Sequence, residues 1–166
     1  MIRVLLIFLF SFLLFGCASD APPPPAPEPP PPPTIVNLLI ESATDVNPDN
    51  SNKAAPVMLR IYELREQSNF NAADFFDLYD KEQAALAGDL VHKQELLLKP
   101  GISKKLVLQP DADVHTIGFF AAFRQLDTAQ WRAKVDVAPH ETKTWAIKLN
   151  ANQLIVEPVD ETPKKP

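Results

Sequence analysis

The sequence predicts a mainly β protein: a two-sheet sandwich of about eight short strands, with a short helical insertion after the second strand. Three observations carry this expectation. From Thr34 onward, short apolar segments recur, separated by turn-favouring Pro, Gly, Asn and Asp residues, as in all-β domains. Several of these segments alternate apolar and polar residues with a period of two, which sends successive side chains to opposite faces of a sheet. Between the second and third segments the period changes to that of a helix.

The first segment, Ile35 to Ile40, is apolar and β-branched, and the polar stretch Ser42 to Ala55 follows it as a long loop. In the second segment, Val57, Leu59 and Ile61 alternate with Met58, Arg60 and Tyr62, and Leu64 closes the strand. Phe75, Leu78 and Tyr79 then stand at helical spacing, with Asn71 placed to cap one short helix. A second runs from Lys81 to Leu86 and ends at Gly88. Val91 to Leu98, Leu106 to Leu108, Val114 to Arg124, Trp131 to Val137 and Thr142 to Leu149 read as further strands, broken by Pro100-Gly101, Pro110-Asp111, Asp127 and Pro139. Gln153 to Val156 adds an edge. Ile117, Phe119, Ala121 and Phe123 share one face of their strand, and Trp131, Ala133, Val135 and Val137 share a face opposite Arg132, Lys134 and Asp136.

The chain has 166 residues, enough for one core of ordinary size. Hydrophobic residues make up 46% and charged residues 22%, the balance of a soluble globular domain. A net charge of -5 supplies no basic stripe for a phosphate backbone, which argues against nucleic acid as a partner. With one Cys in the chain, an internal disulfide is impossible.

Residues 1–16 have the form of a secretion signal: Arg3, then the apolar run Val4 to Phe10 and Phe12 to Phe15. The run is shorter than the roughly 20 apolar residues a spanning helix needs. The junction Leu14-Phe15-Gly16-Cys17 resembles the lipobox of bacterial lipoproteins, with Phe15 bulkier than that pattern prefers. The resemblance implies cleavage before Cys17, a thioether to diacylglycerol on its sulfur and an acyl chain on its new amino group; no other cofactor is expected. Several acyl chains hold a membrane lastingly where one does not. Ala18, where an Asp would signal retention, resembles the pattern of lipoproteins sent on to the outer membrane. Residues 17–33 then form a tether, since Pro22 to Pro25, Pro27 and Pro29 to Pro33 can join neither helix nor ladder. As polyproline II, the thirteen residues Ala21 to Pro33 reach about 40 Å at roughly 3.1 Å each. A stiff spacer fits better than a ligand for a proline-binding module. Residues 34–158 are expected to form the sandwich and 159–166 a disordered tail.

No catalytic constellation emerges. His92, His115 and His140 lie in or beside separate strands, none at ligand spacing from another. The four glycines form no phosphate loop, and no Ser stands in a nucleophile elbow. Asp74, Asp77 and Asp80 read as acids near a helix start. Asp45 to Ser51 begins like a calcium-binding EF-hand loop, but Asn50 stands where that loop needs Gly and Pro56 where it needs Glu. A polar loop between strands explains the same residues, and a loop of this length on a rigid sandwich is a place for binding.

Several segments together resemble the outer-membrane lipoproteins of type VI secretion systems, the TssJ (SciN-like) family. They are Pro56 to Leu64, Phe70, Ala73-Asp74-Phe75, Leu78-Tyr79, Leu86, Gly88-Asp89-Leu90, Leu98 to Gly101, Ile117 to Arg124 and Ala129 to Arg132. The resemblance implies a transthyretin-like sandwich with a small helical insertion. It also implies a lipid-anchored protein of the outer membrane's periplasmic face that anchors a trans-envelope complex by binding the periplasmic C-terminal domain of TssM. By position, the family's contact loop falls on Thr44, Asp45, Val46, Asn47, Pro48, Asp49, Asn50, Ser51, Asn52 and Lys53. Phe70, Phe75, Phe119, Phe123 and Trp131 are expected in the core, while Arg124 and Arg132 either pair with acids inside the domain or lie exposed on a strand face. The alternative function, a small-molecule-binding periplasmic lipoprotein, calls for a concave apolar cavity with converging polar groups.

Overall fold

A computed structural model describes residues 29–159; the expected signal, Cys17, most of the tether and nearly all of the tail lie outside them. Two four-stranded sheets pack face to face. The first has the order β4-β1-β7-β8, from β1 (Ile35–Ser42), β4 (Ser103–Leu108), β7 (Thr142–Asn150) and β8 (Gln153–Pro158). The second has the order β3-β2-β5-β6, from β2 (Val57–Leu64), β3 (Leu90–Leu98), β5 (Thr116–Ala122) and β6 (Arg132–Asp136). Neighbours are antiparallel except β1 and β7, which run parallel from Ile35 opposite Thr142 to Ser42 opposite Leu149.

The alternation read in the sequence sets the inner faces. Val36, Leu38 and Ile40 meet Val57, Leu59 and Ile61 across the core, with Ile117, Phe119, Ala121 and Phe123 from β5 and its continuation. Gly101 turns the chain between β3 and β4 at φ +74°, a conformation that favours glycine. Strand ends move by a few residues. Lys104 and Lys105 hide the start of β4 from an apolar reading, and Val114 is buried in the turn before β5 rather than in the strand.

The helical insertion divides differently from the expectation. The single helix capped by Asn71 is two: α1 (Ser68–Ala72) contains Asn71, and α2 (Phe75–Asp80) starts afresh. The break comes at Ala73, which is extended at ψ 140°. Asp74 is the cap, accepting the Asp77 amide at 2.8 Å while Asp77 accepts the Asp74 amide at 3.4 Å. This reciprocal pair satisfies two otherwise orphaned donors. α3 (Glu82–Leu86) follows.

Helices of five or six residues do not persist alone. These are held on the outer face of the β2–β5 sheet by Phe70, Leu78 and Leu86, buried against Tyr62, Leu64 and Phe120. Burying a phenylalanine such as Phe70 contributes about 2–3 kcal/mol. Gly118 makes room for it: a Cβ there would stand 2.9 Å from Phe70 Cζ.

Two arginines complete the attachment. Arg132 donates to the carbonyls of Phe70, Asn71 and Ala73 at 2.8, 3.0 and 2.8 Å, with its guanidinium 4.8 Å from the Trp131 ring centroid. Arg60 donates to the carbonyls of Leu78 and Tyr79 at 2.8 and 2.9 Å and to Glu82 and Glu95 at 2.6 and 2.8 Å. Each guanidinium thus caps the carbonyl end of a short helix, where orphan acceptors and the negative end of the dipole gather. The expectation that Arg132 pairs with acids inside the domain or lies exposed on a strand face is corrected: it is half-buried, and its guanidinium donates to backbone carbonyls. Of the two arginines singled out, Arg124 alone is exposed.

Candidate functional site

The β1–β2 loop has a fixed root and a presented tip. Val46 and Asn47 are buried, although they stand in the middle of a polar sequence. Asn47 adopts φ 50°, which asparagine tolerates better than most residues. Its side-chain amide donates to Pro56 O at 2.7 Å and accepts the Arg124 backbone N–H at 2.9 Å, buckling the loop to the end of β5. Its own N–H donates to Ala151 O in the β7–β8 turn at 2.5 Å. One residue therefore ties three chain segments.

Beyond this root, Asp49 organises the tip. Its carboxylate accepts the Ser51 and Lys53 amides at 2.8 and 3.0 Å. Those hydrogen bonds, first Lys53 and then Ser51, hold its carboxyl below the usual aspartate range, with the Arg124 charge adding to the effect. Of the oxygens that suggested a calcium loop, Asp45 Oδ1, Asn47 Oδ1 and Asp49 Oδ1 each accept backbone N–H groups. Among the described residues no cluster of three or more His, Cys, Asp or Glu is placed to hold a metal.

Of the ten residues assigned to partner contact, Thr44, Asp45, Asn50, Ser51, Asn52 and Lys53 are exposed, Pro48 and Asp49 are partly so, and Val46 and Asn47 are buried. The last two serve the loop's shape. A lone valine in a polar stretch was the available signal for that burial. Beside the loop runs an open groove of about 390 Å³, lined by Asn47 and Arg124 at one end and by Met58, Phe76, Tyr79 and Leu97 along its walls. Each histidine has a different neighbour: His92 Nε2 lies 3.2 Å from Asp111 Oδ2, His140 Nδ1 lies 2.9 Å from Pro32 O, and the His115 backbone N–H donates to Leu64 O at 2.9 Å.

A two-sheet sandwich that braces one polar loop at its root and presents the tip is an architecture suited to a structural or binding role. The family model for type VI secretion lipoproteins (VasD, EvfM, TssJ) matches residues 34–152, and the chain belongs to that family. Among solved structures, the type VI secretion lipoprotein TssJ1 from Pseudomonas aeruginosa is 38% identical with a TM-score of 0.76, over 78% of this chain and 98% of that one. Serratia marcescens Lip, described as a membrane-bound component of the type VI secretion system, is 25% identical with a TM-score of 0.67, over 79% and 99%. A chain in the structure of the TssM C-terminal domain (869-1107) from EAEC shares the fold at 23% identity and a TM-score of 0.60, over 74% and 99%. Among curated proteins no relative matches. The expected sandwich with its helical insertion agrees with these structures.

Proposed function

We propose that this chain is the outer-membrane lipoprotein of a type VI secretion membrane complex, held by acyl chains on Cys17 and binding the periplasmic C-terminal domain of a TssM-type inner-membrane protein. The observation that carries the proposal is the β1–β2 loop: a root fixed by Asn47 presents a short polar tip whose form is set before any partner arrives. Preorganisation of this kind lowers the entropic cost of association. Family membership supports the role, and the occurrence of this fold in a structure of the TssM C-terminal domain supports the partner. The small-molecule alternative gains less: the groove beside the loop is open and brings one charged side chain, not a converging set, to its lining.

Two measurements test the proposal. Cys17→Ser is expected to release the chain from membranes into the soluble periplasmic fraction, and continued attachment would sink the anchor. Calorimetry of the Cys17→Ser chain with a TssM periplasmic C-terminal fragment is expected to show binding that is lost when the tip, Asn50 to Asn52, is shortened. Binding unaffected by that change would move the interface off the loop, and no binding at all would remove TssM as the partner.

A further inference from the structure

Three large apolar side chains stand in water along one groove: Phe76 and Tyr79 of α2, 59% and 44% exposed, and Leu97 of β3, 71% exposed. Isolated apolar residues on a surface are ordinary, but grouped ones mark an interaction site. The helical cover is attached through Phe70, Leu78 and Leu86, so Phe76 and Leu97 are not needed to hold it, while Tyr79 also packs against Phe75 and under the Arg60 guanidinium. The wall they form is rigid. Phe75 stacks on Tyr79 at 5.7 Å, meets Phe76 edge-on at 5.4 Å, and is wedged against Phe120 and Trp131 at 5.0 and 5.5 Å. A fixed aromatic wall loses little side-chain entropy when covered.

Arg124, exposed at the loop end of the groove, is the one charged residue in its lining. Its backbone N–H is held by Asn47, so the groove opens directly onto the root of the β1–β2 loop. Aromatic residues and arginine are the types that dominate binding energy at interfaces. We infer that this groove receives an apolar segment of the same TssM-type partner, with a carboxylate of that segment meeting Arg124. The sign follows from the lining: Arg124, whose charge also acts on Asp49 in the loop, is the charge the groove itself presents, and it favours an acid over a base. The inference rests on the proposed partner and extends the contact from the loop to the helical cover.

The test is calorimetry of the Cys17→Ser chain with the TssM periplasmic C-terminal fragment, using Phe76→Asp, Leu97→Asp and Arg124→Glu. Val107→Asp is the control, being 58% exposed on the outer face of the other sheet. All four sites are exposed, and unchanged thermal midpoints will show that the fold is kept. Phe76→Asp and Leu97→Asp are expected to weaken binding by about 30-fold, the scale of an interface hot spot. Arg124→Glu is expected to weaken it about tenfold and to flatten its dependence on salt. Val107→Asp is expected to leave it unchanged. Affinities within about twofold of the parent for Phe76→Asp and Leu97→Asp, while shortening the loop tip abolishes binding, would overturn the groove and leave the partner standing. An equal loss with Val107→Asp would overturn it as a nonspecific effect. Absence of binding by the parent chain would remove the partner and the groove together.

Discussion

Turned inward, the two sheets are alike, each sending aliphatic side chains from alternate positions of β1 and β2 into one core. Turned outward they differ. On the β2–β5 sheet the outward residues Arg60, Tyr62, Leu64, Gly118 and Phe120 carry the helical insertion. On the β1–β7 sheet the corresponding positions are Asn37, Leu39, Glu41, Thr144, Ala146 and Lys148, and none of the three helices lies over them. The difference shows what a sheet needs to hold helices too short to stand alone. Apolar area is one part, a guanidinium for each set of orphan carbonyls is another, and the missing side chain of Gly118 is the third.

Arg132→Ala should break the covered side most severely. It strands three carbonyls, and with hydrogen bonds to charged groups contributing about 1.5–3 kcal/mol each before overlap, a loss of about 3 kcal/mol is expected in urea unfolding. A loss below about 0.5 kcal/mol would mean that the clamp is ornamental. Gly118→Ala comes next. Its Cβ would overlap Phe70, and overpacking of this kind costs about 1–3 kcal/mol, read as a lower thermal midpoint with intact circular dichroism.

Glu63→Gln probes the layer both sheets share and should have the opposite sign. Glu63 is buried at the end of the inner row of β2, and burial first of all, with Asp111 adding and His92 opposing, pushes its carboxyl above the ordinary 4.5. A carboxyl raised in the folded state penalises folding above its folded pKa, and that penalty fades as pH falls toward its unfolded value. The variant should therefore be more stable than the parent at neutral pH, with the two converging near pH 4.5. A parent that is the more stable at neutral pH would refute this reading. The smallest effect belongs to the open side: Lys148→Ala removes a 2.7 Å surface pair with Glu157 and should change stability by less than about 0.5 kcal/mol.

Much of the sandwich was legible because it is written in alternation. Val57, Leu59 and Ile61 could be assigned to one face without knowing their neighbours. What covers the opposite face was not legible. Arg60 and Tyr62 read as the polar side of a half-exposed strand, yet Tyr62 is fully buried and Arg60 largely so. Their partners are backbone carbonyls and two acids, Glu82 and Glu95, that arrive from later in the chain, and carbonyl ends carry no side-chain signature. The break between α1 and α2 was hidden for a related reason. Asn71 and Asp74 are both good caps by residue type, and each has an Asp three residues on, Asp74 and Asp77, placed to reciprocate, so the sequence does not distinguish them. Within the loop, polarity located the segment correctly but did not separate its tip from Asn47, whose burial depends on Ala151, Pro56 and Arg124 arriving from elsewhere in the chain.

The central place of β1 has a mechanical consequence. In the proposed role, tension enters at Ile35 from the lipid side and leaves through the loop that begins after Ser42, so β1 is itself the loaded member. It lies between β4 and β7 and is bonded to both along its length. Tension along such a strand shears its ladders together rather than peeling them one bond at a time. Pulled between residue 34 and the loop, the domain should resist far more force than when the same ladders are opened from β8, a contrast that single-molecule pulling from the two attachment points would measure. An anchor loaded in this way bears strain along its strongest direction.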